Sequence, residues 1–178
     1  MLLTVRLGPE ELDRAVEIVR AGGVLAFPTD TVYGLGCRDV ERLYQAKGRP
    51  REKLIAYLVA SSPAEFPEPA RRLAQAFWPG ALTIVSGEDA FRMPDHPLPL
   101  ALLGETGPLP TTSANRSGSP ATADPDEVWS ELGDRIAALL DGGICPGGQA
   151  STVVDLDGTI IREGAISAAR VLEVLARG

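Results

Sequence analysis

The chain has 178 residues, 44% hydrophobic and 23% charged, which fits a globular protein and excludes a disordered one. Its 17 Lys and Arg against 24 Asp and Glu leave a net charge of −7, which argues against a protein that coats nucleic acid. Two cysteines and one histidine cannot build a standard zinc site, and with no membrane-length apolar run and no signal-peptide core the expected location is cytoplasmic, with no membrane contact.

In chain order, Glu10–Arg20 sets Leu12, Ala15, Val16 and Val19 on one face between Pro9 and Gly22-Gly23, which predicts an amphipathic helix. Val24–Phe27, stopped by Pro28, predicts a buried strand, and Arg42–Lys47 a short helix. Leu54–Val59 follows as a strand and Pro69–Phe77 as a helix ended by Pro79-Gly80. Ala81–Val85 and Ala90–Met93 predict two strands joined by a tight turn at Ser86–Asp89. Pro97–Leu103 predicts a short helix whose regular bonding Pro99 confines to the later part, and Leu109–Thr112 a strand. Asp124 is placed to cap a helix, with Pro125 first and Glu127 three residues on. Ile136–Leu140 predicts a strand, and Val153–Leu156 with Thr159–Arg162 a hairpin about Asp157-Gly158. Ser167 is placed to cap a last helix over Ala168–Ala176. Strands interleaved with helices, with no linker or repeat, predict an α/β fold of α+β type: one domain over 1–178 on an open, twisted, mixed sheet.

Charge is unevenly placed along this chain. Arg38–Lys53 holds six cations (Arg38, Arg42, Lys47, Arg49, Arg51, Lys53) against three acids, a local +3 that suits a compact polyanion such as a nucleotide triphosphate. Within it Lys47-Gly48-Arg49-Pro50 offers a point charge and a planar fork two residues apart, which neutralise phosphate oxygens in complementary ways. Ordinary solvated surface cations are the competing reading. Thr111–Thr122, TTSANRSGSPAT, follows an apolar strand with small polar side chains and backbone N–H groups of the kind that surround an anion. Ser113 and Asn115 alternate, so an extended backbone projects both to one face; a flexible Ser/Gly loop is the alternative. Pro28–Gly36, PTDTVYGLG, puts Thr29, Thr31 and Tyr33 on alternate positions. Its Gly34 and Gly36 either admit close backbone approach or serve only the geometry of a strand-to-loop transition.

Other motifs carry less. The phosphate loop GxxxxGK[ST] is absent, and GLGCRD lacks the third glycine of a dinucleotide fingerprint. Asp155-Leu156-Asp157-Gly158-Thr159 matches the DxDGT nucleophile motif of haloacid-dehalogenase-type phosphatases. That motif opens its fold, and the residues after Thr159 are too few to supply the rest, so the hairpin reading stands. His96 reads as a turn or capping residue in preference to a base.

Taken together, GGVLAFPTDTVYGLG (Gly22–Gly36), YQAKGRP (Tyr44–Pro50), WPGALTIV (Trp78–Val85), FRMPDHP (Phe91–Pro97), PLPTTSANRSGSP (Pro108–Pro120), DGG (Asp141–Gly143) and STVVD (Ser151–Asp155) resemble the YrdC/TsaC family, the threonylcarbamoyl-AMP synthases. They stand in family order over nearly the whole chain. The resemblance implies a YrdC/RibB-like sheet with a concave basic cleft. It implies a nucleotidyl transfer that forms threonylcarbamoyl-AMP and pyrophosphate from L-threonine, bicarbonate and ATP. The product would pass through a separate transferase of the Kae1/TsaD family into the t6A modification at adenosine 37 of tRNA.

The family's KxR…SxN tetrad falls on Lys47, Arg49, Ser113 and Asn115. The likeness implies that Lys47 and Arg49 hold the triphosphate and stabilise the charge that grows as pyrophosphate leaves. It assigns Lys53, Ser113, Asn115 and Arg162 to the nucleotide as well. Thr31, Arg92, Thr111 and Ser151 fall to threonine, with Arg92 as carboxylate clamp. Mg²⁺ is expected with the ATP, and no carboxylate cluster announces protein ligands for it. The chain departs from the family in two shortened stretches, between GLG and KGRP and at Ser86–Ala90, and in REKLIAYL where an NPLIVHI-like segment is common. The alternative function is an RNA-binding module of the same fold, for tRNA or double-stranded RNA, whose local patch touches RNA directly. A carbamoyl-adenylate-handling domain of hydrogenase maturation has a related fold but is normally embedded in a much longer chain.

Overall fold

The computed structural model describes residues 4–177. Ten strands lie in one sheet: β1 (Val5–Leu7), β2 (Leu25–Phe27), β3 (Gly34–Gly36), β4 (Ala56–Leu58), β5 (Leu82–Ser86), β6 (Asp89–Arg92), β7 (Leu109–Ser113), β8 (Ala138–Leu140), β9 (Thr152–Asp155) and β10 (Ile160–Arg162). Six helices flank it: α1 (Leu12–Arg20), α2 (Val40–Lys47), α3 (Glu68–Phe77), α4 (Pro97–Thr106), α5 (Pro125–Leu132) and α6 (Ala168–Ala176). The spatial order is β1-β8-β2-β3-β7-β4-β6-β5-β9-β10. Four pairs are parallel (β1 with β8, β8 with β2, β4 with β6, β5 with β9) and the rest antiparallel, so the sheet is mixed as expected.

Alternation along each strand decides what faces where. Val24, just before β2, and Ala26 enter a core with Leu43 of α2 and Val128 and Leu132 of α5, while Leu25 and Phe27 enter another with Val16 and Val19 of α1 and Leu102 and Leu103 of α4. A strand covered on both faces reads as an unbroken apolar run, which Val24–Phe27 is. At the other end, Leu82, Ile84 and Val154 pack against Ala70 and Leu73 of α3 and Val171 of α6. Each fully buried side chain of this size contributes roughly 1.5–3 kcal/mol.

The register then fixes the opposite face. Ala56 pairs with both Thr111 and Ala90, Leu58 with both Leu109 and Arg92, and Thr83 with Val153. Thr111, Ser113, Arg92 and Thr83 therefore share the face away from α3 and α6.

Several elements differ from the expectations. Strand β1 was not expected; its three residues are too few for periodicity to register, and its pairing with β8 supplies the order. Strand β3 lies where PTDTVYGLG read as a strand passing into a loop, between β2 and β7. Its glycines answer a packing demand: a Cβ on Gly36 would stand 2.7 Å from Leu109 Cδ2 and 2.8 Å from Phe27 Cε1. Helix α1 is preceded by a 3-10 turn at Pro9–Glu11, so the predicted helix is split. Ser167 makes no capping bond; Glu163 Oε1 takes the Ala168 N–H instead, at 2.8 Å. Asp124 does cap α5, through Asp126 N at 2.8 Å, but Glu127 turns to the Thr122 hydroxyl. His96 caps α4, its Nδ1 accepting from Leu98 N at 3.2 Å. No helix among the described residues is long and apolar enough to cross a membrane.

Candidate active site

Lys47 is the last residue of α2, and Gly48 follows with φ 66°, the left-handed conformation that ends a helix and favours glycine. That turn sends the Lys47 side chain inward, where it is 3% exposed. Its Nζ donates to Ser113 O at 2.6 Å, to Asn115 Oδ1 at 2.8 Å and to Ser113 Oγ at 3.1 Å. Asn115 is oriented in turn by donating from Nδ2 to Ser119 O at 2.7 Å and Arg116 O at 2.9 Å. The loop 114–120 is tied back by Ser117 N donating to Lys47 O at 2.9 Å. The structure thus brings Lys47, Ser113 and Asn115 into one contact across 66 and 68 residues of chain.

Among the described residues no carboxylate touches that ammonium. Burial, with Arg49 and Lys53 adding repulsion against Glu131, pushes the Lys47 pKa down to about 7. Arg49 is half-buried, its Nη2 donating to Leu54 O at 2.8 Å. Burial pushes its pKa down as well, Tyr44 opposing and Arg162 adding to the fall. The Lys53 side chain is exposed, and what Lys53 gives the loop is its carbonyl, which accepts from Tyr44 OH at 3.3 Å. The other cations of the basic island face elsewhere: Arg38 donates to Thr106 O, Arg42 to Gly22 O, and Arg51 pairs with Glu41. The island is thus only partly one site.

A second cluster stands at the end of β6. Arg92, 6% exposed, donates from Nε to Gly80 O at 3.0 Å and from Nη1 to Thr31 Oγ1 at 2.9 Å, and its Nη2 pairs with Asp30 Oδ1. Burial lowers its pKa, the charge of Asp30 opposes the fall, and Arg162 adds to it. Arg162, on β10, donates from Nη2 to Ser151 O at 2.8 Å and to Ser151 Oγ at 3.3 Å. The Ser151 hydroxyl also meets Thr83 Oγ1 at 2.9 Å. Arg162 adds repulsion to both Arg49 and Arg92, so it lies within electrostatic reach of both clusters. Thr111 is 7% exposed, and its hydroxyl is spent on Leu109 O of its own strand at 2.9 Å.

Sequence reading missed Asp30, Thr83 and the Gly80 carbonyl. Asp30 lay in view inside PTDT, but an ion pair across 62 residues leaves no local pattern. Tyr33 holds the segment after β8 by donating to Gly143 O at 2.8 Å and accepting from Gly142 N at 3.2 Å. Among the described residues no group of three or more His, Cys, Asp or Glu is placed to hold a metal ion.

A family profile described as "Telomere recombination" (Sua5_yciO_yrdC) matches residues 17–164. A Mycobacterium tuberculosis protein provisionally named threonylcarbamoyl-AMP synthase is 38% identical over 94% of this chain and 92% of its own length. The threonylcarbamoyl-AMP synthase of Bacillus subtilis is 37% identical over 93% of this chain and 56% of its own. Among solved structures, Pyrococcus abyssi Sua5 complexed with L-threonine superposes with a TM-score of 0.87 at 31% identity, over 96% of this chain and 60% of that one. Escherichia coli YciO superposes with a TM-score of 0.79 at 28% identity, over 92% and 96%. This chain, which spans nearly all of some of these proteins and little more than half of others, belongs to the Sua5/YciO/YrdC family.

Proposed function

We infer that this protein is a threonylcarbamoyl-AMP synthase that joins L-threonine, bicarbonate-derived carbon dioxide and ATP, acting as one domain and working in the cytoplasm. In this reading the threonine amine takes up carbon dioxide as a carbamate and gives up a proton. A carbamate oxygen then attacks the α-phosphorus of ATP, and the bond to pyrophosphate breaks. That is a nucleotidyl transfer, in which the protein's task is to position reactants and stabilise charge.

The observation that carries the reading is the buried Lys47 ammonium, held by Ser113 and Asn115 with no acid in contact. An uncompensated buried cation favours the arrival of an anion, and a triphosphate beside Lys47 and Arg49 supplies one. Arg49, Arg162 and the exposed Lys53 add further positive charge for the phosphates. Across the hollow, Arg92 faces the threonine carboxylate, and Ser151 lies beside it. Thr31 and Thr111 complete the threonine site: their hydroxyls, bonded to Arg92 and to Leu109 O, each keep a lone pair that can accept from the threonine amine. The donor set lacks a carboxylate cage, which fits Mg²⁺ entering as part of the MgATP substrate. The mixed anhydride product is then available to a Kae1/TsaD-type transferase that modifies tRNA.

The test is pyrophosphate release that requires threonine, bicarbonate and ATP together. It is expected in the wild type and lost in Lys47→Ala and Arg49→Ala. Near-normal turnover in either folded variant overturns the assigned roles. A thermal shift with RNA alone, and none with ATP plus threonine, turns the reading to an RNA-binding module.

A further inference from the structure

A hydroxyl has one proton to give and two lone pairs to receive with, so buried hydroxyls in series fix each other's direction. Thr29, 2% exposed, stands 2.7 Å from the Val32 carbonyl, which can only accept, so the Thr29 proton is committed there. The Thr31 N–H enters the Thr29 oxygen at 3.1 Å. Thr31 Oγ1 lies 3.0 Å from Thr29 Oγ1, and with the Thr29 proton already spent, Thr31 must be the donor in that pair. The Thr31 oxygen is thereby turned to accept, and it accepts from Arg92 Nη1 at 2.9 Å.

We propose that Thr29 is a positioning residue that, through a one-way hydroxyl relay with Thr31, orients the Arg92 guanidinium for an amino-acid carboxylate. The Thr29 proton and both its lone pairs are spent inside the protein, which suits a residue that acts through its neighbours and does not itself touch substrate. The guanidinium has five N–H groups. Gly80 O, Thr31 Oγ1 and Asp30 Oδ1 take one each from Nε, Nη1 and Nη2. One remains on each terminal nitrogen, matching in number the two oxygens of a carboxylate. Without Thr29, the Thr31 hydroxyl is free to turn its proton toward Arg92, setting donor against donor and releasing the guanidinium from its plane. The inference rests on the reading of Arg92 as carboxylate clamp.

The experiment compares threonine with threonine amide, which lacks the carboxylate, by calorimetric binding to the full chain with MgATP present, and follows KM for threonine and for ATP. In Thr29→Val the preference for threonine over its amide is expected to shrink about tenfold, the worth of one well-formed charged hydrogen bond. KM for threonine rises to match, KM for ATP holds within twofold, and Thr29→Ser restores the wild-type values. Thr29→Ala should reproduce the loss, and it answers the question where Thr29→Val does not fold. A folded Thr29→Val or Thr29→Ala that keeps the wild-type preference overturns the relay, as does an equal rise in both KM values. A wild type that binds threonine and its amide alike overturns the clamp itself, which separates the two failures.

Discussion

Lys47 and Arg92 are both cations buried to within a few percent of full enclosure, yet their surroundings are opposite. Lys47 is held by neutral oxygens alone, from Ser113 and Asn115. Arg92 is held by neutral oxygens and by the carboxylate of Asp30. The first arrangement leaves a charge unbalanced until an anion comes, so the protein holds it at a disadvantage when empty. The second is balanced from the start, and its remaining N–H groups can read the shape of a ligand with little change in charge. One region is thus built for charge that develops, the other for orientation.

The difference is most sharply tested at Lys47. Lys47→Met keeps the bulk of the side chain and removes its charge, and turnover is expected to fall by two to three orders of magnitude, the usual loss when a donor to developing anionic charge is deleted. Single-turnover pyrophosphate release with saturating threonine measures it. A fall of less than tenfold in a folded variant would place the charge stabilisation elsewhere in the hollow.

At Arg92 the larger expected effect is on stability. Asp30→Ala leaves a buried guanidinium without its partner and should cost about 3 kcal/mol in denaturant unfolding, as broken buried ion pairs do. Asp30→Asn separates charge from hydrogen bonding and should cost less. Equal losses in the two variants would mean that charge, and not hydrogen bonding, is what Asp30 supplies.

How much of this was legible beforehand divides along the same line. The KGR and SAN segments were readable because each carries its own composition, and an alternating pattern placed Ser113 and Asn115 on one side. The helices were readable from their apolar faces and from punctuation such as Asp124-Pro125 and Gly22-Gly23. What was not legible was partnership over distance. Three of the six island cations look identical to Lys47 and Arg49 in the sequence, yet Arg38 reaches Thr106 O, Arg42 reaches Gly22 O and Arg51 reaches Glu41. Strand β3 escaped because Gly34-Leu35-Gly36 has the composition of a loop, and only the Phe27 ring and Leu109 beside it show why glycine is needed there.

The comparison also sets a pH dependence. The Lys47 pKa of about 7 lies below its ordinary 10.5, so between those values the unfolded chain holds a proton that the folded chain lacks. This group's contribution to unliganded stability therefore rises with pH from about 7 upward, and it is lowest below 7, where both states are charged. Nucleotide binding runs the other way. A triphosphate favours the charged form, so above pH 7 it draws in a proton, and its affinity is expected to fall by up to about tenfold per pH unit. Calorimetry at pH 8 in buffers of differing ionisation enthalpy reads that uptake directly. Lys47→Met should show none, and an unchanged uptake in that variant would assign the proton to another group.

The smallest effect separates the two regions most finely. The Ser113 hydroxyl makes the longest of the three Lys47 contacts, 3.1 Å against 2.6 and 2.8 Å, so Ser113→Ala leaves Ser113 O and Asn115 Oδ1 in place. Stability should change by no more than about 1 kcal/mol, and KM for ATP should rise only a few-fold. Removing an oxygen that accepts from the cation also makes the cation harder to keep, so the pH at which nucleotide affinity begins to fall should move downward. The same profile in Asp30→Asn should stay where it is in the wild type, since Asp30 pairs with Arg92, whereas Ser113 contacts the Lys47 ammonium directly. If Asp30→Asn moves the profile as far as Ser113→Ala does, the two cations share one electrostatic environment and the division between a charging region and an orienting region fails.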